Sequence, residues 1–216
     1  NRGDGFMKKL WLLLSVIVLG FALVSCGGDD KDKDPNPNGG EKQLDVELAD
    51  TFKSFAKNKE VYLTTVGQAD IDIVQNILEN AAGLVEDQDF IRNHELTADQ
   101  VPFGSVVFLV TGTSSKGLGA ASTDVQAEKN RATAFVNKAN AGQISIVLLH
   151  VGGEARRGSL TDPILNVACP GADLMLVVAD GDQDNLFTNF SKNNNIPLYL
   201  FSKATKMVPA FAKLFE

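Results

Sequence analysis

The chain has 216 residues, of which 44% are hydrophobic and 22% charged, and its 27 acidic against 20 basic residues give a net charge of −7. This balance excludes a disordered chain, a collagen-like repeat and a membrane protein with many spans. The acidic excess also argues against nucleic-acid binding, which needs clustered Lys and Arg to hold phosphates, and two cysteines cannot build a disulfide framework.

The first recognisable pattern along the chain is an export signal. The first methionine is Met7, so residues 1–6 are interpreted as upstream read-through or a cloning remnant. Lys8 and Lys9 precede an apolar run over residues 10–24. Its 15 residues are too few for a membrane-spanning helix, which needs about 20, and they match the hydrophobic region of a signal peptide.

The apolar run ends in the letters LVSC, which resemble the lipobox of bacterial lipoproteins. We therefore predict a lipoprotein signal peptide over residues 7–25 and a lipid on Cys26 that binds the membrane. An ordinary signal peptide with an incidental cysteine is the alternative. Residues 26–43 follow as an acidic, flexible tether, which resembles the surface-export signal of lipoproteins in the Bacteroidetes lineage. A spacer that only solubilises the domain would have the same composition. The prediction is a cell-envelope protein anchored to the outer membrane, with the acidic cluster favouring surface exposure.

The composition becomes that of a globular domain from about residue 44, and residues 44–216 are long enough for one domain. Its first half carries weaker patterns, in which apolar spacing and glycine breaks mark the elements. In chain order they are a helix over 50–57, a strand over 61–66, a helix capped by Asp70, a weak strand over 89–94 and a helical turn over 97–101.

The second half of the domain alternates short continuous apolar runs with helix-compatible segments. The runs cover residues 106–110, 144–149, 174–178 and 197–201, and the helical segments 124–141, 183–193 and 204–214. Continuous apolar runs are typical of parallel strands that are covered on both faces. This alternation predicts a single three-layer α/β domain, Rossmann-like or flavodoxin-like, with a mostly parallel sheet of five or six strands.

Polar and glycine-rich loops follow these strands, and ligands of such folds bind at the carboxyl ends of the strands. We therefore predict a site for a small polar or anionic ligand at this edge. The candidate ligand-binding residues are Thr65, Gln68, Gly112, Ser114, Ser115, Lys116, Gly117, Gly119, Gly152, Gly153, Glu154, Arg156, Arg157 and Asp180.

The loop TGTSSKGLG over residues 111–119 resembles two known nucleotide loops but matches neither. It has one residue too many between Gly112 and Gly117 for the cofactor loop of short-chain dehydrogenases, and no Tyr-x-x-x-Lys pair accompanies it. In a P-loop, Lys and Ser or Thr would stand where Leu118 and Gly119 are found. The pattern indicates a loop suited to an anion, or else a tight strand-to-helix connection that Ser115 or Thr123 caps.

The loop after the strand at 144–149 holds the candidates for catalysis. His150 and Glu154 are candidates for a general base, although a lone His at a strand end is typically just hydrogen-bonded. Arg156 and Arg157 could clamp a carboxylate or phosphate, or Arg157 could form a plain surface pair with Glu154.

The remaining polar positions predict structural roles, and no metal site is evident. In the stretch from Asp180, Gly and Glu are missing where a calcium loop needs them, so Asp182 or Asp184 is expected to cap a helix. Cys169 is expected to be a buried apolar filler, and no zinc spacing, nucleophile elbow or cofactor motif is present.

Several segments together resemble an uncharacterised family of exported bacterial α/β domains, a domain of unknown function often found in lipoproteins. The resemblance spans residues 61–201, and its specific parts are the stretches SSKGLGAA and HVGGEARRG. It implies the fold and the export, and it implies no activity.

The sequence thus favours a binding module without an evident cofactor, whose small anionic ligand lies at the strand-end crevice. One alternative is a hydrolase or transferase that uses the same crevice, with His150 or Glu154 as its base. The other is a surface interaction protein with no small ligand, whose protein partner the sequence does not identify.

Overall fold

The computed structural model describes residues 42–216, which form one sheet of six parallel strands covered by helices on both faces. The strands are β1 (Val61–Val66), β2 (Ile91–Arg92), β3 (Val106–Thr111), β4 (Ser145–His150), β5 (Leu174–Val178) and β6 (Leu198–Phe201). Every residue of β1, β3 and β5 is buried. These strands lie between two layers, which explains why β3 and β5 are almost continuously apolar, although Thr64 and Thr65 of β1 are also buried.

The helices are α1 (Ile71–Asn80), α2 (Ser115–Ala120), α3 (Val125–Asn140), α4 (Asp162–Ala168), α5 (Leu186–Asn194) and α6 (Val208–Phe215). Alternate strand residues enter two separate cores: Phe108 packs with α1 and α6, whereas Leu109 packs with α3, α4 and α5. The described part of the chain has no helix that is long and apolar enough to cross a membrane.

The strand order, β2-β1-β3-β4-β5-β6, determines where a ligand would bind. The chain leaves β1 through α1 toward β2 on one side, and leaves β3 through α2 and α3 toward β4 on the other. The order therefore reverses between β1 and β3, as in flavodoxin-like sheets. The region above the carboxyl ends of these two strands is the usual ligand position in such folds.

The predicted α/β fold is confirmed, and the differences are confined to weakly patterned segments. The helix predicted over 50–57 is a short 3-10 helix, Asp50–Phe52, because Ser54 and Asn58 turn the backbone to positive φ. The strand predicted over 89–94 keeps only the two residues of β2. The sequence patterns also missed α2 and α4, whose 6 and 7 residues are too short to show helical periodicity.

Candidate functional site

The loop after β1 has an unusual backbone at the point where the strand order reverses. Gly67, Gln68 and Asp70 adopt φ values of 105°, 60° and 64°, so three of its four residues lie in the left-handed region. Such conformations in residues other than glycine cost about 1–3 kcal/mol each and tend to occur at functional sites. Gln68 pairs with Thr113 in an isolated antiparallel bridge, which ties this loop to the one that follows β3.

Two glycines allow these loops to pack backbone against backbone. A Cβ on Gly67 would overlap the carbonyl oxygen of Gly112, and one on Gly117 would overlap that of Gln68. Gly119 has nothing within 4 Å of such a Cβ. Gly117, which the sequence marked as a ligand-binding glycine, is therefore required by close loop packing, as is Gly67, whereas Gly119 is not.

Asp70 and Arg156 form an ion pair between the loops after β1 and β4. The Nε of Arg156 donates to both carboxylate oxygens of Asp70, at 2.9 and 3.2 Å. The Asp70 side chain is only 3% exposed, whereas that of Arg156 is 37% exposed. A Cβ on Gly152 would overlap both partners, and one on Gly112 would lie 2.8 Å from an Asp70 oxygen. The pair therefore occupies space that the two glycines leave open.

The terminal nitrogens of Arg156 remain available to a ligand. Its two terminal nitrogens form no hydrogen bond with any residue in the described range, because Asp70 takes only the Nε hydrogen. Asp70 was predicted to cap α1, but its side chain accepts no hydrogen bond from that helix. The buried carboxylate instead fixes the guanidinium with its terminal N–H groups toward solvent.

Arg157 has a different environment, so the two arginines do not form a joint clamp. Its Nε donates to Asp162 at 2.8 Å, one terminal nitrogen donates to Asp184 at 2.8 Å, and the other donates to the carbonyl oxygen of Gly181. The guanidinium also lies over the ring of Phe187, 5.6 Å from its centre. Arg157 thus connects the loops after β4 and β5, with 11% of its side chain exposed.

Glu154 forms no ion pair with Arg157, contrary to the surface pair considered from the sequence. Its carboxylate accepts a hydrogen bond from Gln183 at 3.3 Å and is otherwise exposed.

His150 is the last residue of β4 and is completely buried. Its Nδ1 lies 3.0 Å from the carbonyl oxygen of Thr111, and its Nε2 lies 3.0 Å from that of Gly153. Burial lowers the pKa of the imidazole, and the two backbone carbonyls partly offset that effect. A neutral imidazole has one N–H and donates it to only one of these two carbonyls. Because both ring nitrogens face buried backbone, the geometry favours a structural role over that of a general base in contact with solvent.

A buried ion pair on α3 supports the loop after β1, and it was not predicted from the sequence. Glu128 accepts hydrogen bonds from the Gly67 N–H at 2.8 Å, from the Gln68 amide at 3.3 Å and from Arg131 at 2.5 Å. Arg131 in turn donates to the carbonyl oxygens of Leu96 and of Thr65. The E-x-x-R spacing on α3 was the available signal, but on a polar helix it predicts an exposed pair.

The other predicted residues of the loop after β3 have mixed positions. The Oγ of Ser114 accepts the Gly117 N–H at 3.2 Å, so Ser114 rather than Ser115 caps α2. Asp124 rather than Thr123 caps α3, through the Ala127 N–H. Ser115 and Lys116 are exposed. Lys116 forms no ion pair within residues 42–216 and adds positive charge near the crevice.

The loop after β5 is more acidic than the loops after β1 and β3. Asp180 is exposed and packs its carboxylate on Gly153, so that there is no room for a Cβ at Gly153, whose φ is 58°. Asp182 is buried and accepts the N–H groups of Phe187 and Thr188, as the helix-cap prediction requires. No group of three or more His, Cys, Asp or Glu side chains in the described residues is arranged to hold a metal ion.

Cys169 is fully buried, as expected from the sequence, and burial raises the pKa of its thiol.

A pocket of about 510 Å³ lies beside Gln68, lined by the chain leaving β2 and by helix α2, and Arg156 is not among its lining residues. Its volume is within the range of small-molecule sites, about 300–1,000 Å³. The residues that line it are Gln68, Arg92, Asn93, His94, Glu95, Gly117, Ala120 and Ala121. Of these, only Gln68 and Gly117 were predicted from the sequence to be ligand-binding residues.

Comparison with known families gives one finding for this fold and site. A family model described as a domain of unknown function, DUF6305, matches residues 58–215. The match covers both divergent loops, the Asp70–Arg156 pair and the pocket beside Gln68. Searches among curated proteins and among solved structures found no match.

Proposed function

We propose that this chain, which belongs to the DUF6305 family, is a cell-envelope lipoprotein whose α/β domain binds a small anionic ligand. The ligand site is the crevice at the carboxyl ends of β1, β3 and β4. The ligand carries a carboxylate or a phosphate that Arg156 recognises.

The observation that carries this proposal is the way Asp70 holds Arg156. An arginine normally loses about 2 kcal/mol of rotamer entropy when a ligand fixes it. Here the Nε is already bonded to a carboxylate that is 3% exposed, so much of that loss occurs on folding. The two terminal nitrogens keep the parallel N–H geometry that matches a carboxylate or phosphate.

The position of the pair supports the same conclusion. It lies where the strand order reverses between β1 and β3, and open α/β sheets bind ligands at that point. The absence of side chains at Gly112 and Gly152 gives the pair its space. Exposed Lys116 on α2 supplies a second positive charge at the same edge of the sheet.

The envelope part of the proposal rests on the sequence alone, because residues 7–26 lie outside the described residues. The basic start, the apolar run and the LVSC ending support lipidation of Cys26. Metabolic labelling with radioactive palmitate tests it. The intact chain is expected to incorporate label and to fractionate with the outer membrane, and Cys26→Ser is expected to lose both properties. Equal labelling of the two proteins would contradict the proposal.

Ligand binding is tested by a thermal-shift screen of the purified protein against organic acids, sugar phosphates and nucleotides. A ligand at 100 times its Kd adds about 2.7 kcal/mol of stability, which corresponds to about 5–11 °C at this size. We expect Arg156→Gln to remove the shift. The matched control is Lys192→Gln, which removes an exposed cation that forms no ion pair among residues 42–216. A shift that survives Arg156→Gln unchanged would contradict the site.

A further inference from the structure

The pocket of about 510 Å³ beside Gln68 contains two opposite charges that do not pair with each other. Arg92 and Glu95 both line it, three residues apart on the chain that leaves β2. The ion pair of Arg92 is with Asp72 on α1 instead. Within the described range, the Glu95 carboxylate has no hydrogen-bond or ion-pair partner.

Arg92 has one donor that the fold leaves unsatisfied. Its Nε is buried and has no hydrogen-bond partner, although such groups normally have one. Leaving a buried donor of a charged group unpaired destabilises the fold. The terminal nitrogen Nη1 of Arg92 also forms no hydrogen bond with any residue in the described range, and the side chain is 21% exposed. A ligand oxygen can accept from this nitrogen, because Arg92 is part of the pocket lining.

The other side chains that line the pocket are uncharged. Gly117, Ala120 and Ala121 present small apolar surface on the α2 side. Burial, with a contribution from Arg92, lowers the pKa of His94, so that side chain is neutral at pH 7. The Gln68 amide is fixed by its bond to the buried Glu128 carboxylate.

These charges select against a ligand with only one charge. An anion that satisfies Arg92 would lie near the unpaired Glu95 carboxylate, and a cation that satisfies Glu95 would lie near the Arg92 guanidinium. A ligand with a carboxylate and an ammonium group a few ångströms apart satisfies both. We propose that this pocket binds a zwitterionic α-amino acid, with Arg92 on the carboxylate, Glu95 on the ammonium group and the small residues of α2 against the side chain.

This pocket is separate from the Arg156 site, and its occupation does not depend on the proposed function. The twenty L-amino acids are titrated individually into the purified protein by calorimetry. At least one is expected to bind. For that amino acid, the analogue that lacks the ammonium group and the analogue that lacks the carboxylate are expected to bind at least ten times more weakly. For L-alanine these are propionate and ethylamine.

Variants then assign the two charges. Arg92→Gln is expected to weaken amino-acid binding at least tenfold. Glu95→Gln, at an exposed position, is expected to weaken it while leaving or improving the binding of the ammonium-free analogue. Lys192→Gln, which removes an exposed cation that does not line this pocket, serves as the matched control and is expected to leave amino-acid affinity unchanged.

Three results would overturn the proposal. They are no binding of any amino acid at 10 mM, equal affinity for an amino acid and its ammonium-free analogue, and unaltered affinity in Glu95→Gln. Because the last variant changes an exposed side chain, its result is interpretable even if Arg92→Gln folds poorly. Loss of amino-acid binding in Lys192→Gln would also refute the assignment of the site to this pocket.

Discussion

The buried Glu128–Arg131 pair allows a quantitative prediction about how the loop after β1 is held in place. Glu128 is 3% exposed and Arg131 12% exposed, and their nitrogen and oxygen atoms are 2.5 Å apart. Glu128→Ala would leave the Arg131 charge without its ion partner and the Gly67 N–H without its acceptor. Removing one partner of a buried pair costs about 3–5 kcal/mol.

That loss is measurable as a fall in the melting temperature. At this domain size, 1 kcal/mol corresponds to about 2–4 °C, so Glu128→Ala is expected to lower Tm by about 6–20 °C. The matched control is Glu47→Ala, at an exposed position with no hydrogen bond or ion pair in the described residues. Its effect should stay within about 0.5 kcal/mol, or about 2 °C.

A double variant distinguishes the ion pair from simple loss of packing. In Glu128→Leu combined with Arg131→Met no charge is left buried, so the double variant should be more stable than the sum of the two single changes predicts. Calorimetric melting of the four proteins measures this difference. If Glu128→Ala melts within 2 °C of Glu47→Ala, or if the two changes are strictly additive, the buried pair does not support the loop as described.

Three further predictions test other parts of the structure. Gly117→Ala should lower Tm, because the new Cβ overlaps the carbonyl oxygen of Gln68. Gly119→Ala is in open space on the same helix and should raise stability by about 0.5–1 kcal/mol. Equal effects of the two variants in thermal melts would argue against the close loop packing. Arg157→Lys keeps the charge but loses the ion pairs with Asp162 and Asp184 and the contact with Phe187. Urea denaturation should show that the free energy of unfolding falls by about 1–3 kcal/mol. An unchanged midpoint would mean that the guanidinium geometry does not matter. Burial holds the pKa of His150 below its ordinary 6.5, so the unfolded chain binds the proton more tightly and the free energy of unfolding falls as pH drops below about 6.5. His150→Asn should flatten the dependence of Tm on pH between 7.5 and 5.5 more than His94→Asn does, and identical slopes would refute that assignment.

The parts of the fold that the sequence predicted are those with dense local signals. β1 and β5 begin and end at the predicted residues. The run of β5 is apolar throughout and follows Asp173, and the β-branched and aromatic run of β1 ends at Gly67. The edge of the sheet that carries the polar loops follows from parallel strands alone, since all their carboxyl ends meet there. The short elements at the periphery carried no comparable pattern.

The chemistry within that edge was not predictable from the sequence because it depends on pairings between distant residues. Asp70 and Arg156 are 86 residues apart, and only the fold shows that this arginine is held while its neighbour Arg157 is used internally. Glu128 lies on a polar helix and looks like a surface residue until the loop after β1 covers it. Arg92 and Glu95 showed no motif and gained significance only from the pocket that they share.

The most direct test of the central claim is a calorimetric titration of the best anionic ligand into Asp70→Asn. Asparagine tolerates the left-handed φ of 64° at this position, so the backbone can stay in place. If Asp70 acts by holding Arg156, the freed arginine must be ordered by the ligand, at a cost of about 0.5–1.5 kcal/mol, and affinity falls about 2- to 12-fold. Removing a buried negative charge should otherwise strengthen anion binding. Unchanged or tighter binding in Asp70→Asn would therefore contradict the account, and weaker binding is the result that it predicts.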